Sequence, residues 1–323
     1  MPKVLRYGYL IIAFVLAKVM NSPIILAFHR IKHFDNHILD HRIGVIEPDI
    51  FKRVINFLQK SGYTFVALSD LKSDFKNKLN GKIAVLTFDD GYRDLYTNVY
   101  PILKSKGIPY TLFLTTSSVD SNELLWYHKL YLAIDKLTIN HSKSIINNIQ
   151  IQSEKVFETL PNDVIMHQNI DEAGKISQIL FDYADIEKED EMNFAKSLYL
   201  TSREINEMID HGMEVELHSH KHYPYTNMEE AEIEKDILSS FYFIDKSFNK
   251  KPEFWCLPFG LKNNLCINIA LKYRLLGIIS GPGSVVAKHT DMFNLPRIEF
   301  DNNIYSFYKK ISKAYIKSIL KRS

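Results

Sequence analysis

Cysteine is scarce in this chain: only Cys256 and Cys266 occur among 323 residues. Ten positions apart, they fit neither a CxxC zinc pair nor the disulfide framework of a small secreted domain, so reduced structural thiols are expected. Charge of one sign is also missing. The 40 Lys plus Arg nearly cancel the 38 Asp plus Glu, which removes any whole-chain argument for a nucleic-acid partner and leaves attraction to local patches. Long apolar runs are absent too, since the stretch Tyr7 to Ala17 has about 11 residues against the roughly 20 needed to span a bilayer as a helix. The 12 glycines build no phosphate-binding loop, and there is no internal repeat or low-complexity tract.

A large core is available, because 46% of the residues are hydrophobic and the length suits one large α/β domain or two modest ones. Apolar runs that read as buried strands alternate with helical periodicity. Pro23 to Phe28 is a core strand, and Ile50, Phe51, Val54, Ile55 and Leu58 mark a helix from Glu47-Pro48 to about Lys60. Strand Ile83 to Phe88, a helix from Arg93 to Ser105 closed by Gly107, and strand Tyr110 to Leu114 form one strand–helix–strand unit with parallel pairing. Residues 121–200 break the rhythm and read as a mainly helical insertion. It resumes with a helix capped at Thr201-Ser202 and strand Met213 to Leu217. A helix from Asn227 to Phe248, strand Phe254 to Leu257, a helix from Leu265 to Tyr273 and strand Leu275 to Ile279 follow. This pattern predicts an α/β fold, a distorted or incomplete (β/α) barrel over residues 23–302.

In such a barrel, reactive side chains gather at the carboxyl ends of the strands. Those ends carry His29, Asp89 with Asp90, His218 with His222, and Pro258-Phe259-Gly260. Either motif alone is weak, since Asp-Asp-Gly is commonly a turn and histidines four apart occur on solvated helices. Each is preceded by an apolar strand, however, and two imidazoles with one carboxylate are a three-ligand set for a divalent ion with open positions. His220, between the two presumed ligands, is expected to be exposed or to act behind them.

Here the chain resembles the NodB-type polysaccharide deacetylases, carbohydrate esterase family 4, through Thr87-Phe88-Asp89-Asp90-Gly91 and His218-Ser219-x-x-His222. The resemblance covers roughly residues 20 to 302 apart from the insertion. It implies Asp89 as general base and Asp90, His218 and His222 as ligands of Zn2+, or of Co2+, Ni2+ or Mn2+. The chain departs from the family at the Arg-x-Pro-(Phe/Tyr)-Gly motif, which stands as Cys256-Leu257-Pro258-Phe259-Gly260. The arginine that orients the base is gone, and Arg297, after a strand-like segment, is its candidate substitute; a surface salt bridge is the other reading. The Leu-x-x-His motif that supplies the general acid is also missing. His289 looks like a loop residue, whereas Phe28-His29 resembles the early Tyr-His motif of a subgroup that includes the deacetylases of biofilm poly-N-acetylglucosamine, where that His is the acid. Leu124 to Leu130 resembles a segment found in bacterial members with helical insertions.

The expected activity is metal-dependent removal of an N-acetyl group from an amino sugar in a polysaccharide or lipid-linked precursor. O-deacetylation or deformylation would use the same centre. A non-catalytic glycan-binding or membrane-scaffolding protein of this fold is the alternative of another class, motivated by the missing arginine and opposed by the four intact motif residues. The ends point to a membrane surface. Residues 1–22 read as an apolar, basic helix retained on a membrane or on the domain, with the cytoplasmic face favoured; a short signal peptide ending at Val15-Leu16-Ala17 is the alternative. Residues 303–323 read as a basic amphipathic helix that either lies on anionic lipid or packs on the domain.

Overall fold

The computed structural model describes residues 3–19, 22–35, 37–71, 81–139, 170–281, 283–287 and 290–320. The chain opens with helix α1 (Lys3–Val19), strand β1 (Ile24–Phe28), strand β2 (Arg30–Ile31), helix α2 (Ile38–Ile43), strand β3 (Val45–Ile46), helix α3 (Pro48–Lys60) and strand β4 (Thr64–Phe65). Strand β5 (Ile83–Asp90) follows, then helix α4 (Tyr100–Lys106) and strand β6 (Tyr110–Thr115). Three helices come next, α5 (Trp126–Ile139), α6 (Ile170–Tyr183) and α7 (Lys188–Leu198), and then α8 (Ser202–Ile209). Strand β7 (Met213–Ser219), helix α9 (Glu230–Phe248), strand β8 (Phe254–Cys256), helix α10 (Asn264–Lys272), strand β9 (Gly277–Gly281), strand β10 (Leu295–Pro296) and helix α11 (Ile304–Leu320) complete the chain.

The sheet runs β1-β5-β6-β7-β8-β9-β10, with β4 paired to the start of β5, and every pairing is parallel. Its two ends meet at one point. Ile298 donates to the Ile25 carbonyl at 2.8 Å and accepts from the Ala27 amide at 3.1 Å, so a bridge beside Leu26 nearly closes the sheet into a distorted (β/α) barrel. The short β2–β3 pair stands apart. Buried on both faces, the strands are near-continuous apolar runs, as parallel sheets require, and Leu26, Leu86, Leu112 and Leu217 join one core with Val54, Ile237 and Ile269 from the surrounding helices. A second core lies between α5, α6 and α7, where Leu130, Ala133, Leu180 and Leu198 pack together with Tyr92.

Several local expectations change. The helix expected from Arg93 is a π-helical turn, Leu95–Val99, that becomes α-helical only at Tyr100. Pro101 is the physical reason: it has no N–H for the Thr97 carbonyl and its ring crowds that group, so the turn before it widens. Strands β5 and β7 run two residues further than their apolar stretches, through Asp90 and Ser219. The motif residues Asp89, Asp90 and His218 are therefore strand residues and not loop residues. Strand β9 starts at Gly277 rather than Leu275. No helix among the described residues is long and apolar enough to cross a membrane.

Candidate metal and hydrolytic centre

Strand β5 carries the centre's two carboxylates to the carboxyl end of the barrel, where Asp89 pairs with Phe113 and Asp90 with Leu114 of β6. In an ideal strand adjacent side chains would diverge. Here Asp90 leaves the extended region, with φ 73°, and both carboxylates line the same cleft. Gly91 completes the turn at φ 96°, where an added Cβ would meet Leu114 Cδ1 at 2.9 Å. Its amide donates to the Asp89 carbonyl at 2.9 Å, so the third residue of the motif needs glycine both for its backbone and for its space.

Asp89 is buried and fully partnered. Arg297, one residue beyond β10, donates from Nη1 to Asp89 Oδ1 and from Nη2 to Oδ2, both at 2.7 Å. Its Nη1 also donates to Thr87 Oγ1 at 3.2 Å, and Thr87 in turn donates to the Leu26 carbonyl at 2.8 Å. Burial pushes the Asp89 carboxyl up, but the guanidinium and the neighbouring His218 outweigh it and hold the group below the usual carboxylate range. The side chain of His29, just past β1, also reaches the base, with Nε2 3.7 Å from Asp89 Oδ2. It is 32% exposed and so open to the cleft. Cys256, in the motif position where the resemblance expects arginine, puts its Sγ 3.9 Å from Asp89 Oδ2. Burial raises this thiol, which keeps it neutral and structural.

Asp90 faces a different set of atoms. Its Oδ1 lies 3.1 Å from His218 Nε2 and 3.0 Å from His222 Nε2, and the two imidazole nitrogens are 3.2 Å apart. This buried oxygen nevertheless has no hydrogen-bond partner among the described residues. Three ligand atoms converge on one point, with the carboxylate oxygen left over from the one hydrogen bond, between the two imidazole nitrogens. Ligands about 2.0–2.1 Å from a tetrahedral zinc would stand roughly 3.4 Å from one another, close to the separations seen. His218 Nδ1 donates to the Cys256 carbonyl at 2.9 Å, which leaves Nε2 to face Asp90. Burial lowers this imidazole, but Cys256 and Asp90 outweigh it and hold it well above its ordinary value, so an ion would bind there by displacing the Nε2 proton. Burial raises the Asp90 carboxyl, while His222 and His218 pull it well below its ordinary value and keep it ionised. Burial lowers the His222 imidazole, favouring the neutral, ligating form. The residues present therefore fit a divalent ion. A second grouping, Asp89 with His218 and Cys256, fits less well because Asp89 is already taken by Arg297.

The backbone also shows that the site is built under constraint. Ser219 and His222 have φ 134° and 58°, and the Ser219 hydroxyl accepts from the His222 amide at 2.5 Å, turning the chain so that His222 folds back beside His218. His220 points elsewhere: its Nδ1 meets Thr116 Oγ1 at 2.9 Å and its amide donates to Asp236. Arg297 and His29, the two proposed substitutes, both reach Asp89, whereas His289 lies outside the described residues.

Aromatic neighbours form the roof, two of them from the Leu124 to Leu130 segment and one, Phe259, from the strand end that the sequence marked; their contact with His222 is what the sequence did not show. The His222 ring packs against Tyr127 and Phe259, each with its centroid at 4.6 Å, and these two also touch each other; Trp126 Nε1 donates to the His222 carbonyl at 3.2 Å. Phe259 holds a left-handed φ of 56° to face it. Helical spacing makes Trp126 and Tyr127 look like ordinary core, and only tertiary structure shows which histidine they cover. Behind Tyr127, the Tyr199 hydroxyl accepts from the Leu125 amide and donates to His128 Nδ1 at 2.6 Å. His128 Nε2 then donates to the Tyr92 hydroxyl at 2.8 Å, which reaches the Tyr127 hydroxyl at 3.1 Å. The cleft above the centre has a volume of about 630 Å³, and its wall includes Arg42, Tyr131, Glu299, Lys310 and Lys313.

Comparison with known proteins gives the same direction. Residues 76–277 match the polysaccharide deacetylase family model. A poly-beta-1,6-N-acetyl-D-glucosamine N-deacetylase of Staphylococcus epidermidis is 22% identical over 295 residues, covering 88% of this chain and 81% of that protein. The Escherichia coli enzyme of the same name is 28% identical over 87 residues, 26% of this chain, and the match spans only 12% of that relative's length. Among solved structures, the Streptococcus pyogenes deacetylase PplD superposes with TM-score 0.60 at 18% identity, covering 90% of this chain and 98% of PplD. IcaB from Ammonifex degensii gives TM-score 0.60 at 13% identity, with 92% and 97% covered. At these identities the structural likeness speaks for the fold.

Proposed function

Since the chain belongs to the polysaccharide deacetylase family, of the NodB type, we propose that it hydrolyses the N-acetyl group of an amino sugar held in a glycan, using Zn2+ or a similar divalent ion. The observation that carries this reading is the pairing of an Arg-held carboxylate, Asp89, with a convergent triangle of ligand atoms on Asp90, His218 and His222, whose carboxylate oxygen has no hydrogen-bond partner among the described residues, in one cleft. An ion bound there supplies a Lewis acid for the acetamide carbonyl and acidifies water. The protein's own groups supply the rest. Arg297 occupies one lone pair on each Asp89 oxygen, so the remaining lone pairs can take the proton of an attacking water. His29, open to the cleft with Nε2 3.7 Å from Asp89 Oδ2, is placed to give a proton to the departing amine. Cys256 supplies no nucleophile, because it is buried and neutral.

The Staphylococcus epidermidis and Escherichia coli relatives are named for N-deacetylation of poly-beta-1,6-N-acetyl-D-glucosamine, which makes an N-acetylhexosamine glycan the substrate class of choice; the same centre would serve an O-acetyl or formyl group. The test is acetate release from N-acetylglucosamine oligomers after chelation and after return of Zn2+, Co2+, Ni2+ or Mn2+. Turnover that needs a metal and falls by at least about 10²-fold in Asp89→Asn is the expected result. No turnover with any of the four ions would sink the enzyme reading in favour of a glycan-binding protein.

A further inference from the structure

The chemistry described so far leaves the two terminal helices unused. Helices α1 and α11 pack against each other, and their buried sides hold Ala13 and Ala17 from one and Phe307, Ile311, Ala314 and Tyr315 from the other. The outward side of α1 is reversed relative to an ordinary surface helix, which puts its polar residues in water. Ile11, Ile12, Val15 and Val19 are 62%, 46%, 51% and 73% exposed, while small alanines face inward. From Gly8 to Val19 the sole charged residue is Lys18. Helix α11 adds exposed Ile316 and Ile319 beside exposed Lys309, Lys310, Lys313 and Lys317. Across both helices there are seven basic residues (Lys3, Arg6, Lys18, Lys309, Lys310, Lys313 and Lys317) and no acid.

We propose that this pair of helices is a docking face for an anionic phospholipid bilayer. The apolar row on α1 would enter the boundary between headgroups and acyl chains, and the lysines would meet lipid phosphates, the division of labour of an interfacial helix. Charge decides against a second copy of the chain, because a symmetric contact would set these basic residues against themselves. The face is also tied to the site. Lys310 and Lys313 line the cleft, so docking brings the mouth of the cleft to headgroup level. On the deacetylase reading, on which this last step rests, the substrate is then a glycan still attached to its lipid.

Flotation of the full chain with vesicles tests the face without using turnover, so a failure of the deacetylase reading leaves it standing. The protein should float with phosphatidylcholine vesicles containing about 30% phosphatidylglycerol and not with phosphatidylcholine alone, and binding should fall steeply as salt rises from about 0.1 M to 1 M. Val15→Asp with Val19→Asp should abolish flotation. Lys309→Gln with Lys317→Gln, both on the solvent side and so the safer pair for folding, should lower partitioning about 25-fold, about fivefold for each lysine. Absence of binding, equal binding to both vesicle types, or wild-type binding by the lysine pair would overturn the proposal. So would a concentration-dependent dimer in sedimentation velocity that Val15→Asp dissolves in a protein that does not float.

Discussion

Asp89 and Asp90 share a peptide bond and almost complete burial, but their polar surroundings differ in kind. Both oxygens of Asp89 are claimed by one guanidinium that is itself anchored through Thr87 to the next strand. Asp90 has an oxygen within 3.1 Å of two imidazoles and bonded to neither. The base half of the centre is thus complete as protein, whereas the ligand half is complete only around a cation. Burying a charge without partners is expensive, so each half should fail in its own way when disturbed.

The largest separation concerns metal and turnover together. His218→Ala should remove both metal binding in calorimetry and all measurable acetate release, since a ligand set of three cannot lose one and hold its ion. Asp89→Asn should lower turnover by about 10²- to 10⁴-fold, the range for a general base, while binding metal with wild-type stoichiometry. Loss of metal from both variants would erase the distinction between the halves.

Stability should separate them next. Arg297→Ala strands a buried carboxylate and should cost about 3–5 kcal/mol in denaturant unfolding, with much of it recovered in the Arg297→Ala/Asp89→Asn double variant. Recovery fails to appear if Arg297 matters only for packing. Saturating metal acts on the other half: at a free concentration of 100 times Kd it should stabilise the wild type by about 2.7 kcal/mol. His218→Ala should gain nothing from it.

Much of the fold was legible because buried parallel strands are continuous apolar runs, and the centre because its residues sit at the ends of those runs. The motif pair marked Asp89, Asp90, His218 and His222, but not where the strands stop: Asp-Asp-Gly carries a turn signal, and only pairing with Phe113 and Leu114 shows the strand continuing. Arg297 could be named as a candidate and no more, since 208 positions separate it from Asp89 and a guanidinium reads the same on a surface as in a barrel. The two-residue strands β2, β3 and β4 are too short to show a period. Lys310 and Lys313 looked like part of a solvated or lipid-facing basic side, because nothing in helical spacing tells that α11 lies against the cleft.

The smallest predicted effect tests whether the roof belongs to the ligand half. Tyr127, which packs at a tilt against His222, ends the hydrogen-bonded series that begins at Tyr199 and passes through His128. Burial holds the His128 imidazole well below its ordinary value, so the folded protein keeps it neutral where the unfolded chain takes up a proton. A histidine with a depressed folded pKa contributes stability above the usual imidazole value of about 6.5 and loses it as pH falls, by up to about 1.4 kcal/mol per pH unit. His128 therefore contributes a downward slope to unfolding free energies measured from about pH 7.5 down to 5.5, against the upward contribution of His218, whose imidazole is held well above its ordinary value, and His128→Gln should remove the downward share. If the roof supports the ligand half, metal affinity of the wild type should weaken over the same interval by more than proton competition at His218 and His222 accounts for, and His128→Gln should remove that excess. An unchanged excess in the variant would mean that the insertion merely covers the centre and does not hold His222 in place.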